Sequence, residues 1–256
     1  MSLEIVTLPA LSDNYFSLIH NAQTGETTLV DAPDAKPIAA ALAERGWKLT
    51  QILLTHHHPD HSDGAIELQQ QFGAEIVGAK ADVHRLPPLD HAVSEGDSFT
   101  VAGISCSVID VSGHTLGHIA FYMPDLNAAF TGDSLMAFGC GRLFEGDPDV
   151  MYESLQKLAA LPHHTVIYSG HEYSQGNGAF AAAVDGDNPA VQARITVNAE
   201  KRAQGHATGV STLALELDSN PFLRCHLPAL KASADLTEDA DPMQVFAAIR
   251  KRKDNF

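Results

Sequence analysis

The segment Thr55-His56-His57-His58-Pro59-Asp60-His61 places four histidines and an aspartate within seven residues. Imidazole nitrogen and carboxylate oxygen are the donors that suit zinc, iron or manganese. One ion takes three or four such groups, and this segment offers more than one ion ordinarily uses. Two ions are therefore expected, and short histidine tracts in themselves point to metal. The apolar run Ile52-Leu53-Leu54 leads into the cluster. Three other segments share that grammar. Val108-Ile109-Asp110-Val111 leads to Ser112-Gly113-His114, Ala128-Ala129-Phe130 to Thr131-Gly132-Asp133, and Val166-Ile167-Tyr168 to Ser169-Gly170-His171. Loops beyond strand ends let a rigid sheet aim side chains at one point. The glycine before each of the last three candidate ligands allows a tight turn there.

The elements that must position these residues are legible from pattern and punctuation. Strands are expected at Leu3 to Leu8, Phe16 to His20, Thr27 to Asp31, Glu75 to Val77, Ser98 to Val101, Ile104 to Val111, Ile119 to Met123, Ala128 to Phe130 and Val166 to Tyr168. Asp34 is placed to cap a helix that Gly46 ends, and Asp63 to cap one that Gly73 ends. Asp149 to Leu161 has helical periodicity. After Gly170 strand signals vanish, and Asn188-Pro189 and Asp241-Pro242 each open a helix. Mixed strands and helices in this order predict an α/β fold with sheets covered by helices. The change of texture divides the chain into domains 1–168 and 169–256.

Composition narrows the partners. The formal charge of −16 repels phosphate backbones, so no nucleic acid is expected. Cys106, Cys140 and Cys225 are too far apart for a CxxC knuckle or a disulfide framework, and read as reduced thiols of a cytoplasmic protein. Met1-Ser2-Leu3-Glu4-Ile5-Val6 has no basic start or sustained apolar run, so no signal peptide is expected. No stretch of eighteen apolar residues suggests a membrane span. The lack of a long amphipathic seam favours a monomer.

Thr55-His56-His57-His58-Pro59-Asp60-His61 matches the Thr-x-His-x-His-x-Asp-His signature, and the chain here resembles the metallo-β-lactamase superfamily. The resemblance implies an αββα sandwich. It also implies a role for each candidate: His56, His58 and His114 on a first metal, Asp60, His61 and His171 on a second, and Asp133 bridging both. His57 then points away from the metals, and His118 supports the site from behind. Zinc is the leading choice for the two divalent ions, with iron and manganese as alternatives.

Further segments are similar to the hydroxyacylglutathione hydrolase (glyoxalase II) family: Gly139-Cys140-Gly141-Arg142-Leu143-Phe144-Glu145-Gly146, Gly170-His171-Glu172-Tyr173, Asn220-Pro221-Phe222-Leu223-Arg224, and the basic end Ile249-Arg250-Lys251-Arg252-Lys253-Asp254-Asn255-Phe256. That resemblance spans essentially the whole chain and makes the C-terminal helical domain the substrate-binding part. It implies hydrolysis of S-(2-hydroxyacyl)glutathione thioesters, chiefly S-D-lactoylglutathione, by hydroxide bound to two metals, with Asp60 and Asp133 as catalytic carboxylates. Arg142, Leu143, Phe144, His171, Glu172, Tyr173, Arg250 and Lys253 are the implied substrate contacts. Phe144 departs from relatives that carry Tyr there, which removes one hydroxyl. The physics agrees: an acidic chain needs a local cationic patch for an anionic peptide, and Arg250 and Lys253 share a helical face. The nearest alternative is a mononuclear iron persulfide dioxygenase on the same fold, and a silent metal-binding module is a third reading.

Overall fold

The computed structural model describes residues 3–256, so the Met1-Ser2 start of the N-terminal reading lies outside the described residues. The chain forms two compact units. One runs to Asp110 and resumes over Leu116–Gly132; the other is Val111–Thr115 with Asp133–Phe256.

The first unit contains β1 (Leu3–Ala10), β2 (Asn14–Asn21), β3 (Glu26–Val30), α1 (Ala35–Arg45), β4 (Lys48–Leu53), α2 (Pro59–Ser62), α3 (Ala65–Phe72), β5 (Glu75–Ala79), β6 (His91–Val93), β7 (Ser98–Val101), β8 (Ile104–Asp110), β9 (Ile119–Met123) and β10 (Ala128–Gly132). Strands β1 to β6 lie side by side in chain order. The β1–β2 and β2–β3 pairs are antiparallel, whereas β3–β4, β4–β5 and β5–β6 are parallel. Parallel neighbours need a crossover, and α1 and α3 supply the first two. Asp34 caps α1 by accepting from Lys36 N, and Gly46 and Gly73 end α1 and α3 in left-handed conformation. Asp63 is not a cap: α2 has already made the chain helical there, and Gly64 precedes α3 while its N–H donates to Ala32 O.

Strands β7 to β10 form an antiparallel meander. Leu18, Ile19, Leu29, Leu42, Ile52, Leu53, Leu68, Ile76 and Phe121 are fully buried. Burial of such side chains contributes about 1.5–3 kcal/mol each and supplies the rigidity a strand-end site needs.

The second unit contains β11 (Leu135–Met136), β12 (Gly139–Cys140), α4 (Pro148–Ala159), β13 (Val166–Ser169), α5 (Ser174–Val184), α6 (Pro189–Ala203), β14 (Val210–Thr212), α7 (Leu213–Ser219), α8 (Pro228–Ser233) and α9 (Pro242–Asp254). Asn188 and Asp241 cap α6 and α9 through their side chains, as the Asn-Pro and Asp-Pro pairs predict. The expectation that strands stop after Gly170 is corrected by β14, which pairs antiparallel with β13 through Val166–Thr212, Ile167–Ser211 and Tyr168–Val210. Three residues are too few to show a period of two. Among the described residues, no helix is long and apolar enough to cross a membrane.

Candidate metal centre

In the first unit the histidine cluster leaves β4 and wraps around α2. His56 and His61 are fully buried, and His58 is half-buried. Asp31 organises them. Its carboxylate accepts from Thr55 N at 2.9 Å, Thr55 Oγ1 at 3.0 Å and His61 Nδ1 at 2.9 Å. Because the Thr55 hydroxyl donates to Asp31, it must accept from His56 Nδ1, which lies 3.0 Å away. Both rings therefore carry their proton on Nδ1 and keep a lone pair on Nε2, the tautomer a metal ligand needs. Asp31 sits at φ 60°, a left-handed conformation that is costly for a residue with a Cβ. His56 Nε2 and His58 Nδ1 stand 3.1 Å apart. Asp60 is held by Asn14, whose Nδ2 donates to Asp60 Oδ2 at 2.9 Å and to its backbone O at 3.0 Å. His57 turns away, with Nδ1 3.0 Å from Asp82 Oδ2, and His118 is buried and stacks on His56 at 4.6 Å.

In the second unit His114, Asp133 and His171 converge by themselves. Asp133 Oδ2 lies 3.4 Å from His114 Nε2 and 3.3 Å from His171 Nε2, and all three residues are buried. His114 Nδ1 donates to Arg142 O at 2.8 Å, which again leaves Nε2 with the lone pair. Zinc–nitrogen distances of ~2.0–2.1 Å in a tetrahedron separate ligand atoms by about 3.3 Å. The 3.1 to 3.4 Å spacings in both units fit that donor set. His56, His58, Asp60, His61, His114, Asp133 and His171 are each among the residues whose donor atoms could serve a metal ion. Gly141 is required beside Asp133, since a Cβ there would meet Asp133 O at 2.0 Å.

The residues expected to contact substrate are also in the second unit. Arg250 is buried, donating from Nη1 to Cys140 O at 3.0 Å and from Nη2 to Asp254 Oδ1 at 2.8 Å. Arg142 Nε stands 3.5 Å from the same Asp254 oxygen. Lys253 Nζ reaches Gly176 O at 3.5 Å and lies 5.4 Å from the ring centres of Phe180 and Phe256. Burial, then the nearby Arg250 charge, lower its pKa below the ordinary lysine value. Tyr173 is exposed and stacks on His171 at 4.6 Å. Phe144 is exposed and meets the His114 ring edge-on at 5.3 Å, with Leu143 half-buried beside it. Glu172 turns inward, accepting from Ser174 Oγ at 2.6 Å, Thr208 N at 2.7 Å and Thr208 Oγ1 at 2.7 Å.

The cysteines are free and buried. Burial pushes the Cys106 and Cys225 thiols up to about 12. Burial also raises the Cys140 thiol, against an opposing pull from Arg250. None offers a ready thiolate nucleophile. The sequence reading missed Asp31, Asn14 and Asp254 as site residues. Asp31 carried a usable signal, because it too ends an apolar strand, Leu29-Val30, with an acid.

Residues 15–171 match the metallo-beta-lactamase superfamily, and residues 172–256 match the hydroxyacylglutathione hydrolase C-terminus. The chain is 56% identical over its full length to the whole of a hydroxyacylglutathione hydrolase from Ruegeria pomeroyi. It is 54% identical, again over all of both chains, to one from Cereibacter sphaeroides. Among solved structures, the BLEG-1 B3 metallo-beta-lactamase aligns with a TM-score of 0.68 at 21% identity, covering 86% of this chain and 99% of that one. ETHE1 from Myxococcus xanthus aligns with a TM-score of 0.68 at 23% identity, covering 98% and 90%. These likenesses establish the metallo-β-lactamase α/β fold, here followed by a C-terminal helical region. On whole-chain identity and on both matching segments, the chain belongs to the hydroxyacylglutathione hydrolase family of the metallo-β-lactamase superfamily.

Proposed function

We propose that the protein hydrolyses S-(2-hydroxyacyl)glutathione thioesters, chiefly S-D-lactoylglutathione, to glutathione and D-lactate. The observation that carries this reading is whole-length identity of 56% to a protein named for that activity. The paired donor sets support it, three imidazoles with Asp60 in one unit and Asp133 between two imidazoles in the other. His56, His58 and His114 would hold one divalent cation, Asp60, His61 and His171 a second, with Asp133 shared. Zinc is the leading candidate, and iron or manganese are alternatives. A cation pair bound there would supply Lewis acidity, easing ionisation of a water and polarisation of the thioester carbonyl.

The chain's own residues do the rest. Asp31, Thr55 and the Arg142 carbonyl keep ligand tautomers fixed. Asn14 holds the Asp60 carboxylate in orientation. Arg142, Arg250 and Lys253 gather positive charge for the carboxylates of glutathione. Tyr173, Leu143 and Phe144 supply aromatic and apolar surface for its backbone, and Glu172 fixes the loop that carries Tyr173 by holding Thr208 and Ser174. A leaving thiolate, with a conjugate-acid pKa of about 8.5, departs without a strong general acid. In this reading residues 1–168 form the catalytic domain, with His171 as an added ligand, and residues 169–256 form the helical substrate-binding domain, helped by Arg142, Leu143 and Phe144. The enzyme acts as a cytoplasmic monomer with neither nucleic acid nor membrane as partner.

The test is hydrolysis of S-D-lactoylglutathione beside the same acyl group on a thiol without carboxylates. Arg250→Ala with Lys253→Ala raises KM for the glutathione substrate by about tenfold or more and leaves metal content unchanged. An unaltered KM contradicts the assignment. Oxygen uptake with glutathione persulfide, without thioester cleavage, would favour the dioxygenase alternative.

A further inference from the structure

The turn between β11 and β12 is bound backbone group by backbone group. Asn220 Nδ2 donates to Met136 O at 3.1 Å and to Gly139 O at 2.9 Å. Asn177 Nδ2 donates to Ala137 O at 3.2 Å. Phe138 N donates to Glu216 Oε2 at 3.0 Å. Arg250 Nη1 takes Cys140 O. Thus each of the consecutive residues from Met136 to Cys140 has a backbone group held by a side chain from the helical part of the chain.

The holders are themselves fixed. Glu216 and Asn220 are fully buried. Glu216 accepts from Arg194, Ser211 and Asn220, and Asn220 Oδ1 accepts from Phe222 N at 3.1 Å. The Arg194 guanidinium lies 4.1 Å from the centre of the Phe138 ring. Such over-determination has a reason, because Phe138 sits at φ 60°, where a non-glycine residue is strained. A turn left to itself would relax from that geometry.

This turn leads directly into Gly141 and Arg142, and the Arg142 carbonyl also fixes His114. We propose that Asn220, acting with Glu216, is a positioning residue for glutathione recognition: it holds the strained Met136–Gly139 turn so that Arg142 is aimed at a substrate carboxylate. The inference rests on the functional reading above and gives the Asn220-Pro221-Phe222-Leu223-Arg224 segment a role beyond packing.

The experiment compares Asn220→Ala with Arg224→Ala in the metal-loaded full-length protein. Arg224 belongs to the same segment but binds Asp185 Oδ2 at 3.0 Å and Leu217 O at 3.3 Å, away from the turn. Both variants lower Tm. Asn220→Ala alone raises KM for S-D-lactoylglutathione by about tenfold, weakens glutathione binding in calorimetry by a similar factor, and changes kcat less. Asn177→Ala removes a hydrogen bond to Ala137 O alone and gives a smaller rise; it also carries the comparison if Asn220→Ala does not fold. Equal KM and Kd shifts in the Asn220 and Arg224 variants, or a Tm change with neither constant moved, overturn the proposal. A wild type that binds glutathione but does not cleave the thioester overturns the functional reading instead, and the Kd comparison still decides the positioning role. A wild type that does not bind glutathione overturns both.

Discussion

Asp31 Oδ2 accepts from His61 Nδ1 at 2.9 Å, and this one contact decides which nitrogen of His61 keeps a lone pair. Asp31 also orients Thr55, and through it His56. Replacing the carboxylate with an amide removes the charge and leaves one Asp31 position able to donate where three donors converge. Asp31→Asn is expected to weaken metal affinity by about 10–100-fold, the usual effect of losing a carboxylate behind a ligating histidine. Competition with a chelator, read by elemental analysis, checks it. Unchanged retention of metal would show that the ligand rings need no such support.

Asp254 occupies Arg250 at 2.8 Å and approaches Arg142 at 3.5 Å. A carboxylate between two guanidinium groups would, in the proposed function, compete with a substrate carboxylate for them. Asp254→Asn is expected to lower KM for the glutathione thioester by about two- to fivefold, within the modest range of partly exposed ion pairs. Steady-state kinetics at low ionic strength is the measurement, and a raised KM would make Asp254 an organiser of the arginines instead.

Lys253 gives a pH dependence with a definite sign. Its pKa is lowered, first by burial and then by Arg250, against the raising influence of Asp254 and Cys140. The charged form that would hold a substrate carboxylate is therefore lost at a pH below the ordinary lysine range. KM for the thioester should rise on the alkaline side, and Lys253→Arg should remove that component while any rise from titration of the substrate's own amine remains. The stability effect has the opposite sense: the folded state disfavours the charged amine, so the penalty is fully present below the lowered pKa. It is relieved as pH climbs from there towards the unfolded value. Identical alkaline limbs in the two proteins would contradict the role.

Close backbone approach sets a fourth expectation. A Cβ at Gly141 would sit 2.0 Å from Asp133 O and 3.0 Å from His114 Nδ1. The first neighbour is backbone and cannot rotate away. Gly141→Ala is expected to cost about 3 kcal/mol, the upper end for overpacking, and to lose metal together with stability. Denaturation and elemental analysis on one preparation test it; a stable, fully metallated variant would mean the loop is more compliant than its hydrogen bonds suggest.

The candidate metal donors were legible in the sequence because histidines and carboxylates placed just beyond apolar strands form a local pattern. His56, His58, Asp60 and His61 lie in one segment, while Gly113, Gly132 and Gly170 directly precede the other candidate ligands. Helix ends were equally legible where a cap and a stop coincide, as at Asp34 and Gly46. Asp63 misled because the preceding Pro59–Ser62 turn already supplies helical backbone. The partners of ligands were less visible. Asp31 supports His61 from thirty positions away in the chain, and Asn220 reaches Met136 from more than eighty. Such contacts depend on tertiary register, which no local pattern encodes. Strand β14 was hidden for a related reason: its three residues are a strand only because β13 lies alongside.

In the proposed function His56, His58, Asp60, His61, His114, Asp133 and His171 serve a pair of divalent ions that cleave a glutathione thioester. The most direct test measures S-D-lactoylglutathione hydrolysis and metal stoichiometry on the same purified sample, for the wild type and for Asp133→Ala. Two ions per chain are expected in an active wild type, and loss of metal and turnover together in the variant. A fully active protein saturated by a single ion, or an Asp133→Ala variant with near-normal turnover, would contradict it.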